Sequence, residues 1–339
     1  MTDLLAVVSQ SGPTVTFFDA HTHRRVAVIE VPPQPHELCF DPDHGLLYCT
    51  SAYRSGYYHA NSGRASEVSV IDVASRRLVE VLDLAPEHGP HGLALDRRRG
   101  LLYVSVEAGG ERPGGVVVLD TATRKRVGRV DTMAPGPHWF VLGPDGRRGY
   151  AANKEAPFVS AVDLEAGVLT GRIEVPGSEG LAVSPDGRHL YVAAPKADFS
   201  RPPAHAPGVR VIDTGTGRTE RILPAEGPVM PVHTTVDGLV LAGELRVDGA
   251  GDSALGTQRG GTLQVFAPGG DELLARVGVG AFPLTITSSP DGGTAYVACV
   301  VSSTVSVVDL RTLEVTGELP VDRGGEAGAH GLAYLPGAL

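Results

Sequence analysis

The chain has 339 residues and a formal net charge of −10 at pH 7, with 42% hydrophobic, 5% aromatic and 20% charged residues. This composition is too apolar for a disordered chain and too acidic for a typical nucleic-acid-binding protein, and no apolar run is long enough to span a membrane. The first residues lack the features of a secretory signal, and the odd count of three cysteines argues against a disulfide framework. We therefore expect a cytoplasmic globular protein that binds neither nucleic acid nor membrane.

A turn signal built on Asp or Gly recurs along the chain, and a short apolar run and then an alternating run follow each copy. The turn segments are DPDHG (41–45), DRRRG (96–100), GPDG (143–146), SPDG (184–187), VDG (236–238) and SPDG (289–292). The alternating runs are VSVID (68–72), VVVLD (116–120), VSAVD (159–163), VRVID (209–213), LQVFA (263–267) and VSVVD (305–309). Because such runs are typical of strands, each repeat predicts four short antiparallel strands.

The two ends of the sequence complement each other. Residues 4–31 predict the second, third and fourth strands of a repeat, and residues 329–335 predict a first strand with nothing after it. The repeats therefore predict an all-β, seven-bladed β-propeller with four antiparallel strands per blade, the last blade being closed by the N- and C-terminal strands. We expect one domain over 1–339, with blade seven formed by 1–34 plus 329–339, as a monomer or small homo-oligomer.

Two segments point to a known family. SPDGRHLYVAA (184–194) and SPDGGTAYVACVVSSTVSVVDLRT (289–312) resemble the YVTN-repeat, lactonase-like family of seven-bladed β-propellers, and the resemblance covers the whole chain. It implies the propeller fold. Because this architecture includes lactonases, lyases of the virginiamycin B type, dehydrogenase subunits and binding scaffolds, the resemblance implies no single activity.

One position in each repeat, at the start of the first strand, carries a chemical signal. Aligning the repeats on their turns gives seven positions, 41 to 55 residues apart, which we expect at the mouth of the central channel: His36, His91, His138, Glu179, Met230, Leu284 and His330. Four of the 12 histidines fall on these seven positions. Imidazole suits transition metals, and the imidazole-rich set favours Fe or Cu, with Zn, Mn or Mg as alternatives.

The predicted ligands of this divalent transition metal are His36, His91, His138, His330 and Glu179. Glu179 has two other interpretations, as a residue that orients an imidazole and as a general base. A purely structural interpretation is also open, in which His is tolerated before Gly at a strand start. The repeat alignment is weakest in blade five, where either Met230 or His233 could occupy the channel position.

Long loops between second and third strands predict a binding site at the same end of the channel. Tyr53 and Tyr57 lie in the loop of blade one, and Arg112 lies in that of blade two. Together with Lys154 and Glu244 they are predicted to contact a small-molecule substrate, with Arg112 suited to a carboxylate. Glu107 and Glu179 are the predicted catalytic carboxylates. The alternative is that these side chains are solvated rim charges and tyrosines that pack the loops.

Three functions fit the sequence. The first is a metal-dependent enzyme that acts on a small organic substrate at the top of the channel, through redox chemistry or as a Lewis-acid lyase or hydrolase. The second is a metal-free lyase, isomerase or lactonase in which a channel His or Glu is the general base. The third is a non-catalytic scaffold whose rim binds a protein.

Overall fold

Seven four-stranded antiparallel sheets form the fold seen in the computed structural model, which describes residues 2–56, 61–108, 111–197, 205–248, 255–325 and 327–337. The first three strands are β1 (Leu4–Ser9), β2 (Thr14–Asp19) and β3 (Arg25–Glu30). Blade one contains β4 (Pro35–Asp41), β5 (Leu46–Ser55), β6 (Ser62–Asp72) and β7 (Arg77–Asp83). Blade two contains β8 (Leu93–Asp96), β9 (Leu101–Val106), β10 (Gly115–Asp120) and β11 (Arg126–Asp131).

The next three blades repeat this order. Blade three contains β12 (Pro137–Leu142), β13 (Arg148–Asn153), β14 (Phe158–Asp163) and β15 (Val168–Glu174). Blade four contains β16 (Leu181–Val183), β17 (His189–Ala194), β18 (Gly208–Asp213) and β19 (Arg218–Pro224). Blade five contains β20 (Val229–Thr234), β21 (Val240–Val247), β22 (Gln258–Phe266), a short 3₁₀ turn (Pro268–Gly270) and β23 (Leu273–Ala281).

The remaining strands complete the ring. Blade six contains β24 (Pro283–Ser288), β25 (Thr294–Cys299), β26 (Thr304–Asp309) and β27 (Glu314–Pro320). Blade seven has the strand order β28-β1-β2-β3, in which β28 (Ala329–Leu335) pairs antiparallel with β1 from Leu4↔Leu335 to Val7↔Leu332. The predicted seven-bladed propeller, closed by strands from both ends of the sequence, is thus confirmed.

The first strand of every blade faces the central channel. These inner strands contact one another in blade order, and β28 contacts β4, so the ring is continuous. Apolar side chains fill the space between neighbouring sheets, as where Val15 and Phe17 of blade seven pack with Leu47 and Ile71 of blade one, all fully buried. Because each sheet buries both faces against its neighbours, the central strands are apolar on both sides.

In six of the seven blades, an Asp at the end of the third strand holds the following turn. The carboxylates of six such residues accept backbone N–H bonds from residues two or three positions later: Asp19, Asp72, Asp120, Asp163, Asp213 and Asp309. This is the usual turn chemistry of Asp, and it makes these residues architectural. Among the described residues, no helix has the length and apolarity that a transmembrane span requires.

A glycine follows the channel position in three blades because the next blade comes very close there. A Cβ atom on Gly180 would lie 2.5 Å from the carbonyl oxygen of Met230 and 2.8 Å from the backbone nitrogen of Val232. Gly92 and Gly331 meet the backbone of the next blade in the same way. Contacts this short are not tolerated, so the glycines allow the inner strands to pack.

We expect Gly180→Ala to lower the free energy of unfolding by about 1–3 kcal/mol, because the added methyl group must push two inner strands apart. Gly171→Ala is the matched control, since a Cβ there meets no atom within 4 Å. Denaturant unfolding monitored by circular dichroism measures both. Equal stability of the two variants would contradict the proposed close packing.

Candidate active site

A left-handed backbone turn precedes the channel position in most blades. The residue two positions earlier has a positive φ in five blades: Gln34 (54°), Gly89 (61°), Gly136 (63°), Gly177 (62°) and Phe282 (62°). Such angles favour glycine, and Gln and Phe adopt them only at a cost. The backbone conformation of this turn therefore determines where the channel residue, two positions later, enters the channel mouth.

Four imidazoles meet at this mouth. The ring centre of His36 lies 4.7 Å from that of His91 and 4.8 Å from that of His330. The rings of His91 and His138 have their centres 3.4 Å apart and their planes tilted by 33°. The structure thus brings together the four histidines that the repeat alignment selected.

Three of the four imidazoles have an oxygen next to Nδ1. His36 Nδ1 donates a hydrogen bond to the carbonyl oxygen of Gln34 at 2.9 Å. In the neutral ring this leaves Nε2 with a lone pair, and the Gln10 amide nitrogen lies 3.2 Å from it. An imidazole ring that donates from one nitrogen to an acceptor and keeps a lone pair on the other is the usual form of a metal-binding histidine, although here the Gln10 amide occupies the lone pair of His36 Nε2.

Buried carboxyl groups stand beside the other two. Glu37 Oε1 lies 3.2 Å from His330 Nδ1, and Glu179 Oε2 lies 3.6 Å from His138 Nδ1. Both glutamates are almost fully buried. Glu179 therefore stands behind an imidazole, which favours the orienting role over that of a metal ligand.

Burial keeps the imidazoles neutral. It lowers the pKa of His36, His91 and His138 well below the usual value and brings the pKa of His330 to about 3. Burial also raises the pKa of Glu37 well above its usual range. Neutral imidazole is the form that coordinates a metal ion.

The fit of this cluster to a metal ion is partial in the observed conformation. Two imidazoles that bind one ion have ring centres roughly 4.5–5.5 Å apart, a range that includes His36–His91 and His36–His330. The rings of His91 and His138, with centres 3.4 Å apart, are too close to share an ion unless one of them rotates. Within the described ranges, no group of three or more His, Cys, Asp or Glu side chains has the geometry of a formed metal site. Neither ring nitrogen of the buried His91 has a hydrogen-bond partner among the described residues.

A triangle of polar side chains adjoins the imidazoles. Tyr53 Oη donates to Glu107 Oε1 at 2.8 Å, and Lys154 Nζ donates to Tyr53 Oη at 2.8 Å and lies 2.9 Å from the same Glu107 oxygen. Burial opposes the charge on Lys154, but the Tyr53 and Glu107 oxygens outweigh it and raise the pKa of the ammonium. Burial likewise opposes the charge on Glu107, yet Lys154 lowers the pKa of this carboxyl. The result is a neutral phenol held between an ammonium and a carboxylate.

These groups enclose one cavity of about 200 Å³. Its lining residues are His36, Tyr53, Asn61, His91, His138, Trp139, Lys154, Glu155, Lys196, Met230, Leu284 and His330. The polar residues come from blades seven and one to four, whereas the apolar Met230 and Leu284 come from blades five and six. Behind these two lies a buried apolar cluster that includes Leu245, Leu255, Phe282 and Val300. One half of the channel mouth is therefore lined by polar side chains, and the other half is filled by packed apolar side chains.

The structure places several predicted site residues elsewhere. Arg112 is bonded to the buried Glu87, which also binds Arg126 and Arg129, and it does not line the cavity. Glu244 is buried and accepts hydrogen bonds from two backbone N–H groups, Gln264 and Arg276. Each is occupied in holding its own blade together, so neither reaches the cavity. Tyr57 lies outside the described residues.

Blade five resolves the choice between Met230 and His233. Met230 lines the cavity, as its aligned position requires. His233 lies deeper, where its Nε2 is 2.9 Å from Ser288 Oγ on the inner strand of blade six. Burial lowers the pKa of His233 to about 4.

Some site residues were not predicted. Lys196 and Trp139 line the cavity, and Glu37 and Gln10 contact its histidines. The usable signal in the sequence was the glycine two positions before three of the channel residues, Gly89, Gly136 and Gly177, since it marks the turn. The others reach the cavity through contacts between blades, which no repeat pattern encodes.

The chain was compared with known proteins. No protein-family profile matches it, and no curated protein sequence matches it. Solved structures do match, and they place the chain in the class of seven-bladed propellers. Two of the matching structures are enzymes. The assignment to the YVTN-repeat family stays a prediction.

Three structures illustrate the similarity. Hydrazine synthase of Kuenenia stuttgartiensis is 21% identical, with a TM-score of 0.66 over 88% of this chain and 90% of that one. The dihydro-heme d1 dehydrogenase NirN, in complex with DHE, is 18% identical, with a TM-score of 0.61 over 96% of this chain and 65% of that one. A functionally unknown protein from Desulfotomaculum acetoxidans DSM 771 is 13% identical, with a TM-score of 0.71 over 98% and 99%. At these identities the similarity establishes the fold alone.

We expect His233 to make the protein sensitive to acid at an unusually high pH. Its folded-state pKa of about 4 lies below the unfolded value of about 6.5, so between these values the unfolded chain binds more protons. The free energy of unfolding should therefore fall as the pH falls through this window, by up to about 1.4 kcal/mol per pH unit from this residue.

The pH series is compared with that of His233→Asn, which retains a polar partner for Ser288. Urea unfolding between pH 7.5 and 4.5 should show a shallower pH dependence in the variant. The same slope in both proteins would show that His233 does not contribute.

Proposed function

We propose that this chain is a metal-dependent enzyme that acts on a small organic substrate at the channel mouth. The observation that carries the proposal is the convergence of His36, His91, His138 and His330 on one cavity. The Gln34 carbonyl accepts from His36 Nδ1, and a carboxyl group lies 3.2 Å from His330 Nδ1 and another 3.6 Å from His138 Nδ1. Because a buried imidazole N–H needs an acceptor in any role, the convergence of the four rings carries the proposal and the acceptors do not. The similarity in fold to enzymes is compatible with the proposal, but it is not evidence for it.

The imidazoles would hold a divalent transition metal, with Fe or Cu favoured by an all-nitrogen donor set and Zn as an alternative. Rotation of the His91 or the His138 ring away from the other would allow both to join the set of metal ligands. The ion would supply a Lewis acid or a redox centre next to the bound substrate. Glu37 and Glu179 would hold the rings of His330 and His138 in position.

The polar triangle supplies acid–base chemistry beside this centre. Tyr53 lines the cavity, whereas Glu107 stands behind it. The Tyr53 phenol would accept a substrate proton at Oη while passing its own proton to Glu107 Oε1. Lys154 would stabilise the negative charge on the phenol oxygen during this transfer.

The proposal predicts one transition-metal ion per chain in protein purified without chelator. His36→Ala, His91→Ala and His330→Ala should each weaken metal binding by more than about 100-fold, because each removes a ligand. The control is His21→Ala, an exposed residue in the β2–β3 turn. Elemental analysis and competition titration measure the metal, and electron paramagnetic resonance identifies Fe or Cu.

The absence of bound metal after dialysis against Fe(II), Cu(II), Zn(II) and Mn(II) in turn would contradict the proposal. Circular dichroism of each variant separates loss of the ligand from loss of the fold.

We expect Glu37→Gln to weaken metal binding by about tenfold, because a cation bound to His330 would favour the ionised form of the neighbouring carboxyl, and an amide has no such form. Glu30→Gln on the exposed strand β3 is the control. Competition titration with a chelating dye gives both affinities. Unchanged affinity in Glu37→Gln would restrict this residue to a packing role.

A metal-free proton-transfer enzyme is the second candidate, and the Tyr53–Lys154–Glu107 triangle favours it because the triangle is complete without an ion. The two candidates differ in one measurement on a panel of small lactones, esters and carboxylic acids. Turnover that survives exhaustive chelation but is lost in Tyr53→Phe selects the metal-free enzyme. Turnover that is lost on chelation and restored by one metal selects the metalloenzyme.

A further inference from the structure

We propose that the ligand of this cavity is a small carboxylate with an apolar side chain. Its carboxylate would lie against Lys154 and Lys196 and its side chain against Met230 and Leu284. This inference rests on the proposed function in taking the cavity as the active site, and it adds the class of substrate.

The distribution of lysine supports an anion-binding role. The chain has only three lysines among 29 basic residues, and two of them, Lys154 and Lys196, line this one cavity. The third, Lys125, is exposed in the β10–β11 turn. Lysine therefore occurs at this cavity in a chain whose other basic residues are nearly all arginine. Its ammonium group is a compact point charge on a flexible stem, and it takes less space than a guanidinium group.

Lys154 has the hydrogen-bonding capacity for a ligand. An ammonium group has three N–H donors, and Tyr53 Oη and Glu107 Oε1 account for two of them. Among the described residues, the third N–H is left for an oxygen inside the cavity. Lys196 Nζ is 2.6 Å from Glu155 Oε1, and both of these side chains line the same space.

With a metal ion in place, the charge at the cavity favours an anion. The two ammonium groups are balanced by their own partners, Lys154 by Glu107 and Lys196 by Glu155. The four imidazoles add no negative charge, so a divalent ion bound to them would leave positive charge in a buried site. Buried charge that is not compensated is costly, and an anionic ligand supplies the compensation.

Size and polarity define the rest of the ligand. Met230 and Leu284 are 2% and 5% exposed and form an apolar part of the cavity wall. The cavity of about 200 Å³ is somewhat larger than an apolar cavity of roughly 150 Å³ that binds benzene. A carboxylate with a side chain of four to six carbons, or one ring, fits this space.

Three probes of similar shape differ in charge: benzoate is an anion, benzamide is neutral and benzylamine is a cation. Isothermal titration calorimetry of the full chain should show benzoate binding at least about tenfold tighter than the other two, since a charge-assisted hydrogen bond forms only with the carboxylate. Equal affinity for benzoate and benzamide, or a preference for benzylamine, would overturn the proposal.

Variants locate the bound carboxylate. Lys196→Met and the double variant Lys154→Met with Glu107→Gln should each weaken benzoate binding by about tenfold. The double variant removes both members of the ion pair, so no buried charge is left without a partner. Lys125→Met is the matched control and should bind as the natural chain does. Full affinity in both cavity variants, with the fold intact by circular dichroism, would overturn the proposal.

Leu284→Asn tests the apolar wall. It should weaken benzoate binding and leave acetate binding unchanged, because acetate does not reach that wall. An equal loss for both ligands would overturn the assignment of the apolar half.

The titrations are carried out on chelator-treated and on metal-loaded protein. Benzoate binding in protein that takes up no metal would support this inference and refute the metalloenzyme. Metal binding without any preference for benzoate would refute this inference and leave the metalloenzyme standing.

Discussion

The pairing of β1 with β28 is the constraint on which the candidate site depends. These strands join the two ends of the ring, and the pairing brings β28 against β4. His330 enters the channel from β28 and His36 from β4, so their rings become neighbours only when the ring closes. Closure also removes the exposed sheet edges that an open array would present. Stability and site assembly therefore have one structural origin.

Inside that ring, the fold buries polar groups at a cost in stability. Four neutral imidazoles and two carboxyl groups are buried within a few ångströms of one another, and burial shifts the pKa values of the imidazoles away from those in water. Fully apolar side chains would fill the same space at lower cost, as Met230 and Leu284 do in blades five and six. The proposed binding role would account for the contrast between the two halves of one channel mouth.

The sequence predicted the fold and the four histidines because both follow from repetition. A repeated turn defines the blades, and equivalent positions in a ring must share one end of the channel. It did not predict Glu37 or Lys196, whose roles depend on contacts between blades, and it placed Arg112 and Glu244 near a ligand although both serve their own blades. A loop location is a weak predictor because an arginine or glutamate there has many possible partners.

The two sets of cavity residues are carried by different parts of each blade. The imidazoles sit on or beside the inner strands after a backbone turn, whereas Tyr53, Lys154 and Lys196 sit at or just beyond the ends of second strands. Replacing a loop between second and third strands would therefore change the residues at the rim of the cavity and leave the imidazole set in place. If the proposed function holds, ligand preference can vary through these loops while the histidines stay constant.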